Sequence, residues 1–140
     1  MQRAFQHDDL MQIRVHDISP RDAPVWERLR RDLWPDGAGD HAAEIASFFA
    51  GTLDEPTAVL VAENREGAIV AFAELSIRDN LPGLEGKRVG YVEGLYVVPE
   101  ARHRGIGRRL LHESRRWARD QKCAVFASDR AERVVVDKGF

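Results

Sequence analysis

The sequence is poor in cysteine and in clustered histidine. Cys123 is the single cysteine among 140 residues, so an internal disulfide is excluded. The five histidines are scattered along the chain, and they form no group with the spacing of a zinc site. We therefore expect a metal-free protein in a reducing compartment.

An excess of charge of one sign is also missing. The 21 basic and 23 acidic residues leave a net charge of -2, which provides no general attraction to nucleic acid or to an anionic membrane surface. Binding of a charged ligand must therefore depend on local groups of residues. We expect no nucleic-acid partner and no membrane partner.

Long apolar runs are absent as well. The longest, near residues 58–62 and 68–73, are far shorter than the ~20 residues that span a bilayer. The polar start has no apolar signal-peptide core, which predicts a cytoplasmic protein. With 44% hydrophobic residues the chain can form one core, and we expect a single domain over residues 11–140. The polar residues 1–10 are expected to be a disordered extension.

Hydrophobic periodicity predicts an α/β domain in which helices pack on a mixed sheet. The predicted strands cover residues 12–16, 58–63, 68–77, 89–98 and 123–127. The predicted helices cover residues 24–33, 41–50 and 105–120, each bounded by cap, turn or glycine residues. Glu74 and Asp79 flank an exposed loop and are expected to be solvated.

The segment between the fourth strand and its helix, residues 99–109, is locally basic and contains Gly105 and Gly107. Glycines let a ligand approach the backbone, and the start of a helix offers unpaired N–H groups with a partial positive charge. Arginines suited to phosphate oxygens surround them: Arg102, Arg104, Arg108 and Arg109. The pattern predicts a pyrophosphate site or, alternatively, a tight turn with solvated arginines. Rossmann and P-loop signatures are missing, which disfavours nicotinamide and ATP.

Beyond these physical arguments, the run YVEGLYVVPE at residues 91–100, followed by Arg102-x-x-Gly105-x-Gly107, resembles the GNAT superfamily of N-acetyltransferases. Three shorter segments, LWP at 33–35, EGLYV at 93–97 and FASD at 126–129, are similar to the aminoglycoside 6'-N-acetyltransferases. The resemblance covers roughly residues 11–129. It implies a mixed, mostly antiparallel sheet flanked by helices, and acetyl transfer from acetyl-CoA to a primary amine. The 6'-amine of an aminoglycoside antibiotic is the acceptor it favours.

The resemblance also implies how acetyl-CoA is bound. The fourth strand separates from the fifth, and its backbone at Leu95, Tyr96 and Val97 pairs with the pantetheine arm. One of these N–H groups polarises the thioester carbonyl, and Gly94 marks the bulge that opens the gap. The pyrophosphate contacts fall on the residues of the basic loop: Arg102, His103, Arg104, Gly105, Ile106, Gly107 and Arg108.

The acceptor residues implied by the resemblance are Trp34, Asp36, Glu93 and Asp129. Strict alternation places Glu93 on the same strand face as Tyr91, Leu95 and Val97, where a covered carboxylate needs a partner, a water path or a ligand amine. The family role of Glu93 is to hold the amine and accept its proton. The alternatives are an exposed structural carboxylate for Glu93, a packing role for Trp34 and a helix cap for Asp129.

After Asp129 the sequence departs from the family pattern, and the C-terminal part is shortened. Residues 130–138 resemble the last strand of the family, with the preceding helix and strand missing. No general acid for the departing thiolate is visible there, and a homodimer could complete the acceptor pocket by strand exchange. Two alternatives stay open: a GNAT enzyme for a polyamine or a protein N-terminus, and a non-catalytic remnant that binds acetyl-CoA.

Overall fold

The computed structural model describes residues 12–37, 39–130 and 133–139. The elements within these ranges are β1 (Arg14–Asp17), α1 (Ala23–Leu33), α2 (His41–Ala50), β2 (Ala58–Glu63), β3 (Ile69–Arg78), β4 (Val89–Val97), α3 (Ile106–Asp120), β5 (Val125–Arg130) and β6 (Arg133–Asp137). Short 3-10 turns precede α1 and α3. The extension predicted for residues 1–10 lies outside the described residues. No helix in these ranges has the length and apolar character that a membrane crossing requires.

The strands form one six-stranded sheet, in the order β1-β2-β3-β4-β5-β6, within the part of the chain that the structure describes. Neighbouring strands are antiparallel except for the parallel pair β4–β5. The crossover between these two parallel strands contains α3, as a parallel connection requires. The prediction of a mixed, mostly antiparallel sheet flanked by helices is confirmed.

The two faces of the sheet are covered by different helices. On one face, α3 buries Ile106 and Leu110 in a cluster that contains alanines of β2 and β3, and these small side chains let the helix lie close to the sheet. On the other face, Trp26 of α1 and Ile45 of α2 pack with Phe72 of β3. The sheet is therefore a central layer between two apolar clusters.

A β-bulge interrupts β4. Glu74 pairs with Gly94, but Leu75 pairs with Val92, so Glu93 is the extra residue on β4. Leu95 packs in the cluster under α3, whereas Glu93 lies on the side of α1 and α2. The prediction that Glu93 shares a face with Leu95 and Val97 is therefore wrong, because the bulge inserts one residue into the alternation.

Candidate functional site

The pairing between β4 and β5 stops halfway along β4. Among the described residues, Val92 and Ser128 form the last pair of this parallel ladder, while β4 continues to Val97 along β3. The second half of β4 therefore has a paired edge toward β3 and an edge that faces a gap. This separation is the one that the sequence resemblance implied.

The antiparallel register decides which backbone groups of β4 face the gap. The Val98 N–H donates to the Val70 carbonyl at 2.9 Å, so Tyr96, two residues earlier, also directs its backbone groups toward β3. Leu95 and Val97 direct theirs into the gap. The predicted backbone contacts thus have the required direction at Leu95 and Val97, whereas Tyr96 can contact a ligand in the gap only through its side chain.

Arg102 joins this strand edge to the loop before α3. Its Nε donates to the Val97 carbonyl at 2.7 Å, and its guanidinium lies 5.2 Å from the centre of the Tyr96 ring. One donor of this arginine is therefore bound within the protein. Arg102 also lines the cavity next to the loop.

A cavity of about 590 Å³ lies against the N-terminal end of α3. Gly105 caps the helix with φ +89°, a left-handed conformation that favours glycine, and His103 also has a positive φ of +63°. The residues predicted to bind pyrophosphate line this cavity with the exception of Arg104: Arg102, His103, Gly105, Ile106, Gly107 and Arg108.

Gly107 lies in the first turn of α3, and its surroundings show whether packing within the protein requires a glycine there. A Cβ added there would lie 3.6 Å from the nearest atoms of Leu95 and Val97, which is ordinary contact. Neighbouring side chains therefore do not require a glycine, although glycine costs up to ~1 kcal/mol relative to alanine inside a helix. Close approach of a ligand to the helix N–H groups would explain the glycine, which agrees with the predicted pyrophosphate site.

A second cavity, of about 360 Å³, lies on the opposite side of β4, under α1 and α2. Trp34 and Glu93, both predicted for the acceptor site, line it together. Among the described residues, three further glutamates line the same cavity: Glu44, Glu55 and Glu74. Asp36 is exposed and is not one of the lining residues, and the side chain of Asp129 lies outside the described part of the chain.

Glu93 is bound by Arg78. The arginine Nε donates to Glu93 Oε1 at 2.9 Å, and its Nη2 lies 2.6 and 2.7 Å from the two carboxylate oxygens. Glu55 lies on the same guanidinium, with its Oε2 at 3.1 Å from Nη2. Burial raises the pKa of the Glu93 carboxyl above the usual glutamate value, Arg78 lowers it, and Glu55 raises it.

The floor of this second cavity is a buried ion pair. Glu74 accepts from Arg30 Nε at 2.7 Å and from Trp26 Nε1 at 3.0 Å, and Arg30 also donates to Glu44 at 2.6 Å. Burial raises the pKa of the Glu74 carboxyl, while Arg30 and Trp26 lower it. The expectation that Glu74 is solvated is wrong, since its side chain is 2% exposed.

Trp34 contacts both the ion pair and β4. Its ring lies 5.3 Å from the Arg30 guanidinium carbon, and a Cβ added to Gly94 would lie 2.5 Å from the ring. Gly94 is therefore a glycine because the indole occupies the space beside its Cα. The bulge predicted at Gly94 is present, and Trp34, which lines the second cavity, packs against it.

The sequence profile of the Acetyltransferase (GNAT) family matches residues 24–137. The chain belongs to this family. The GNAT assignment from the sequence motifs is confirmed.

Relatives of this GNAT chain extend the comparison to individual enzymes. It is 41% identical over 116 residues to an aminoglycoside N(6')-acetyltransferase type 1 of Klebsiella aerogenes, covering 82% of this chain and 76% of the relative. Its structure is similar to AAC(6')-Iy in complex with the bisubstrate analogue CoA-S-monomethyl-acetylneamine, with a TM-score of 0.73, 29% identity and coverage of 85% and 80%. An aminoglycoside 6'-N-acetyltransferase, AAC(6')-Ih of Acinetobacter baumannii, has the same TM-score and coverage at 31% identity.

Several residues of the GNAT site were not predicted from the sequence. Arg30, His41, Glu44 and Glu55 line the acceptor cavity, and Arg115 lines the cavity at α3. Arg30 stands in a helix with several other charged residues, so composition does not distinguish it. Its position one turn after Trp26 and one turn before Trp34, on the apolar side of α1, was the available signal.

Proposed function

We propose that this GNAT chain transfers the acetyl group of acetyl-CoA to the 6'-amine of an aminoglycoside, by direct attack while both substrates are bound. One observation carries the proposal. The backbone groups of Leu95 and Val97 face a gap beside the loop suited to pyrophosphate, and the bulge next to them places Glu93 in an acidic cavity. The two substrates can therefore meet at a single stretch of β4.

The donor side acts through the main chain. When bound, acetyl-CoA supplies an activated acetyl thioester. The N–H groups of Leu95 and Val97 are oriented to hold an extended ligand along β4, and a fixed N–H can stabilise negative charge on a carbonyl oxygen. The start of α3 and Arg108 provide positive charge for the pyrophosphate.

The acceptor side acts through side chains. Glutamates around one cavity favour a ligand with several ammonium groups, and the Trp34 ring offers an apolar face for a sugar ring. Glu93 accepts the proton of the attacking amine directly or through water. No covalent acetyl-enzyme is required. A homodimer and a cytoplasmic location stay predictions from the sequence.

The proposed acceptor atom can be tested with a matched pair of aminoglycosides. Neomycin has a 6'-amine, and paromomycin has a hydroxyl at the same position. We expect release of CoA thiol with neomycin and at least about a hundredfold less with paromomycin, because an uncharged hydroxyl is a poor nucleophile and leaves the carboxylates unpaired. Mass spectrometry should find a single added acetyl group.

Equal rates with both compounds would show that another amine is acetylated. Turnover of spermidine or of an N-terminal peptide, with no turnover of neomycin, would replace the aminoglycoside by one of these acceptors. Binding of acetyl-CoA in calorimetry without transfer to any of these amines would indicate a protein that binds the cofactor only.

A further inference from the structure

Among the described residues, Arg78 is the cation that contacts the proposed acceptor carboxylate. It ends β3, opposite Val89 of β4, and contacts Glu93 through three short N–O distances. It also lies on the Tyr91 ring, with its guanidinium carbon 4.5 Å from the ring centre. The arginine is therefore held by a carboxylate pair and an aromatic face.

The direction from which Arg78 reaches Glu93 determines what it can do. Among the described residues, Glu55 and Glu93 line the acceptor cavity, whereas Arg78 does not. The guanidinium contacts Glu93 and lies over the Tyr91 ring, outside the lining of the cavity. A carboxylate has about four lone-pair positions, so oxygen positions toward the cavity stay available to a ligand.

We infer that Arg78 is a positioning residue, which holds the Glu93 carboxylate in one orientation at the acceptor cavity and balances its repulsion from Glu55. This inference rests on the proposed function and assigns a further residue to the same site. A planar guanidinium with paired contacts fixes a carboxylate better than a single ammonium does.

Other charged groups face Glu93 less directly. Glu74 of β3, Arg30 of α1, and His41 and Glu44 of α2 line the same cavity. Arg30 is bound by Glu74 and Glu44, which leaves Arg78 as the cation directly bound to Glu93 among the described residues. Without Arg78, a half-buried Glu93 would lie beside Glu55 with no opposite charge, and both effects favour its protonated form.

The inference predicts the titration of one carboxyl. In protein labelled with 13C at glutamate Cδ, Arg78→Gln should raise the midpoint of the Glu93 resonance by about one pH unit. Glu93→Gln identifies that resonance by its loss. The matched control is Arg14→Gln, which removes another arginine paired with a glutamate, Glu63, on the distant strand pair β1–β2. The control should leave the Glu93 midpoint unchanged.

Kinetics provide the second measurement. For neomycin, Arg78→Gln should shift the acid limb of the pH profile of kcat/KM to higher pH by about one pH unit. At a fixed pH on that limb, kcat/KM should therefore fall about tenfold. Arg78→Lys keeps the charge without the paired contacts and should recover part of both effects. It also serves as the test variant if Arg78→Gln does not fold.

An unchanged Glu93 midpoint in the Arg78 variants would overturn the inference, whatever happens to activity. So would a loss of activity at all pH values by one constant factor, which indicates a structural role. If the unsubstituted protein acetylates neither aminoglycoside, the proposed function fails, while the carboxyl titration still decides the role of Arg78.

Discussion

The contact between Trp34 and Gly94 places two constraints on one residue. The bulge at Glu93 and Gly94 aims the carboxylate into the acceptor cavity, and the missing Cβ makes room for the indole that lines it. Leu33 lies against the same point, 3.2 Å from the position of a Cβ. The glycine next to the bulge residue Glu93 therefore also leaves room for the indole that lines the cavity.

Replacing Gly94 by alanine should destabilise the protein by about 1–3 kcal/mol, because the added methyl group overlaps the Trp34 ring. The KM for the aminoglycoside should rise about tenfold or more as the ring moves. Urea unfolding of Gly94→Ala in the unsubstituted and Trp34→Ala backgrounds forms a double-mutant cycle. We expect most of the cost to disappear in the second background. An equal cost in both would mean that the backbone, and not the ring, requires glycine.

Single residues show where prediction from the sequence succeeds and fails. Glu93 and Trp34 were predicted for the acceptor site because each stands in a short recognisable motif; the structure places both at one cavity, and their roles stay predictions. Arg30 and Glu74 were missed, because an ion pair between residues 44 positions apart leaves no local pattern. The face of Glu93 relative to Leu95 was predicted wrongly, since a bulge cannot be located by counting alternate residues.

At the level of elements, the start of α3 combines a left-handed cap at Gly105 with an open helical position at Gly107. The first residues of a helix have no intrahelical acceptor for their N–H groups, and the helix dipole adds positive charge at this end. The short turn before α3 directs these groups toward the cavity that Val97 also lines. Strand, turn and helix thus line one continuous cavity, where we propose that acetyl-CoA binds.

Gly107→Ala separates stability from binding at this helix start. The free protein should become more stable by up to about 1 kcal/mol, because alanine is the better helix former and its Cβ meets only ordinary contacts. The Kd for acetyl-CoA should rise about tenfold, since the methyl group lies between the ligand and the backbone. Thermal unfolding of the free protein and calorimetry with acetyl-CoA measure the two effects. Unchanged affinity would show that the glycine does not serve ligand approach.

The elements themselves were largely predictable. The second helix begins after Asp40, whose side chain accepts from the Ala43 N–H at 3.2 Å, and ends at Gly51 with φ +75°, as the cap residues indicated. The fifth strand extends to Arg130, beyond the predicted end at residue 127, because pairing with β6 continues it. Such tertiary pairing is not visible in the local pattern of one strand.

At the level of the whole molecule, the Arg30–Glu74 pair connects the helical layer to the sheet. Arg30 belongs to α1, Glu44 to α2 and Glu74 to β3, so one buried charge network joins three elements beneath the acceptor cavity. Its members are mutually satisfied by hydrogen bonds. Removing Glu74 leaves the buried Arg30 with the partly exposed Glu44 as its remaining carboxylate, and breaking a buried pair in this way costs more than the pair contributes.

Glu74→Gln should therefore lower the free energy of unfolding by about 3 kcal/mol, as measured with urea. The matched control is Glu63→Gln, which breaks the pair with Arg14 at 3.0 Å, where the arginine is 69% exposed, and a longer contact of 3.4 Å with His16. That change should cost less than about 1 kcal/mol. Similar small losses for both variants would show that Glu74 is not held as a buried ion. Replacing both partners, Arg30→Met with Glu74→Leu, should restore much of the stability.

The partial separation of β4 from β5 affects how such a protein can evolve. If the acetyl donor is held by peptide groups, as we propose, the side chains of this strand do not determine the contact, so most substitutions there leave the binding of the donor intact. The opposite pocket depends on individual carboxylates and one indole, each replaceable by a single codon change. New acceptors can therefore be acquired on one face while the chemistry of acetyl donation is inherited unaltered on the other.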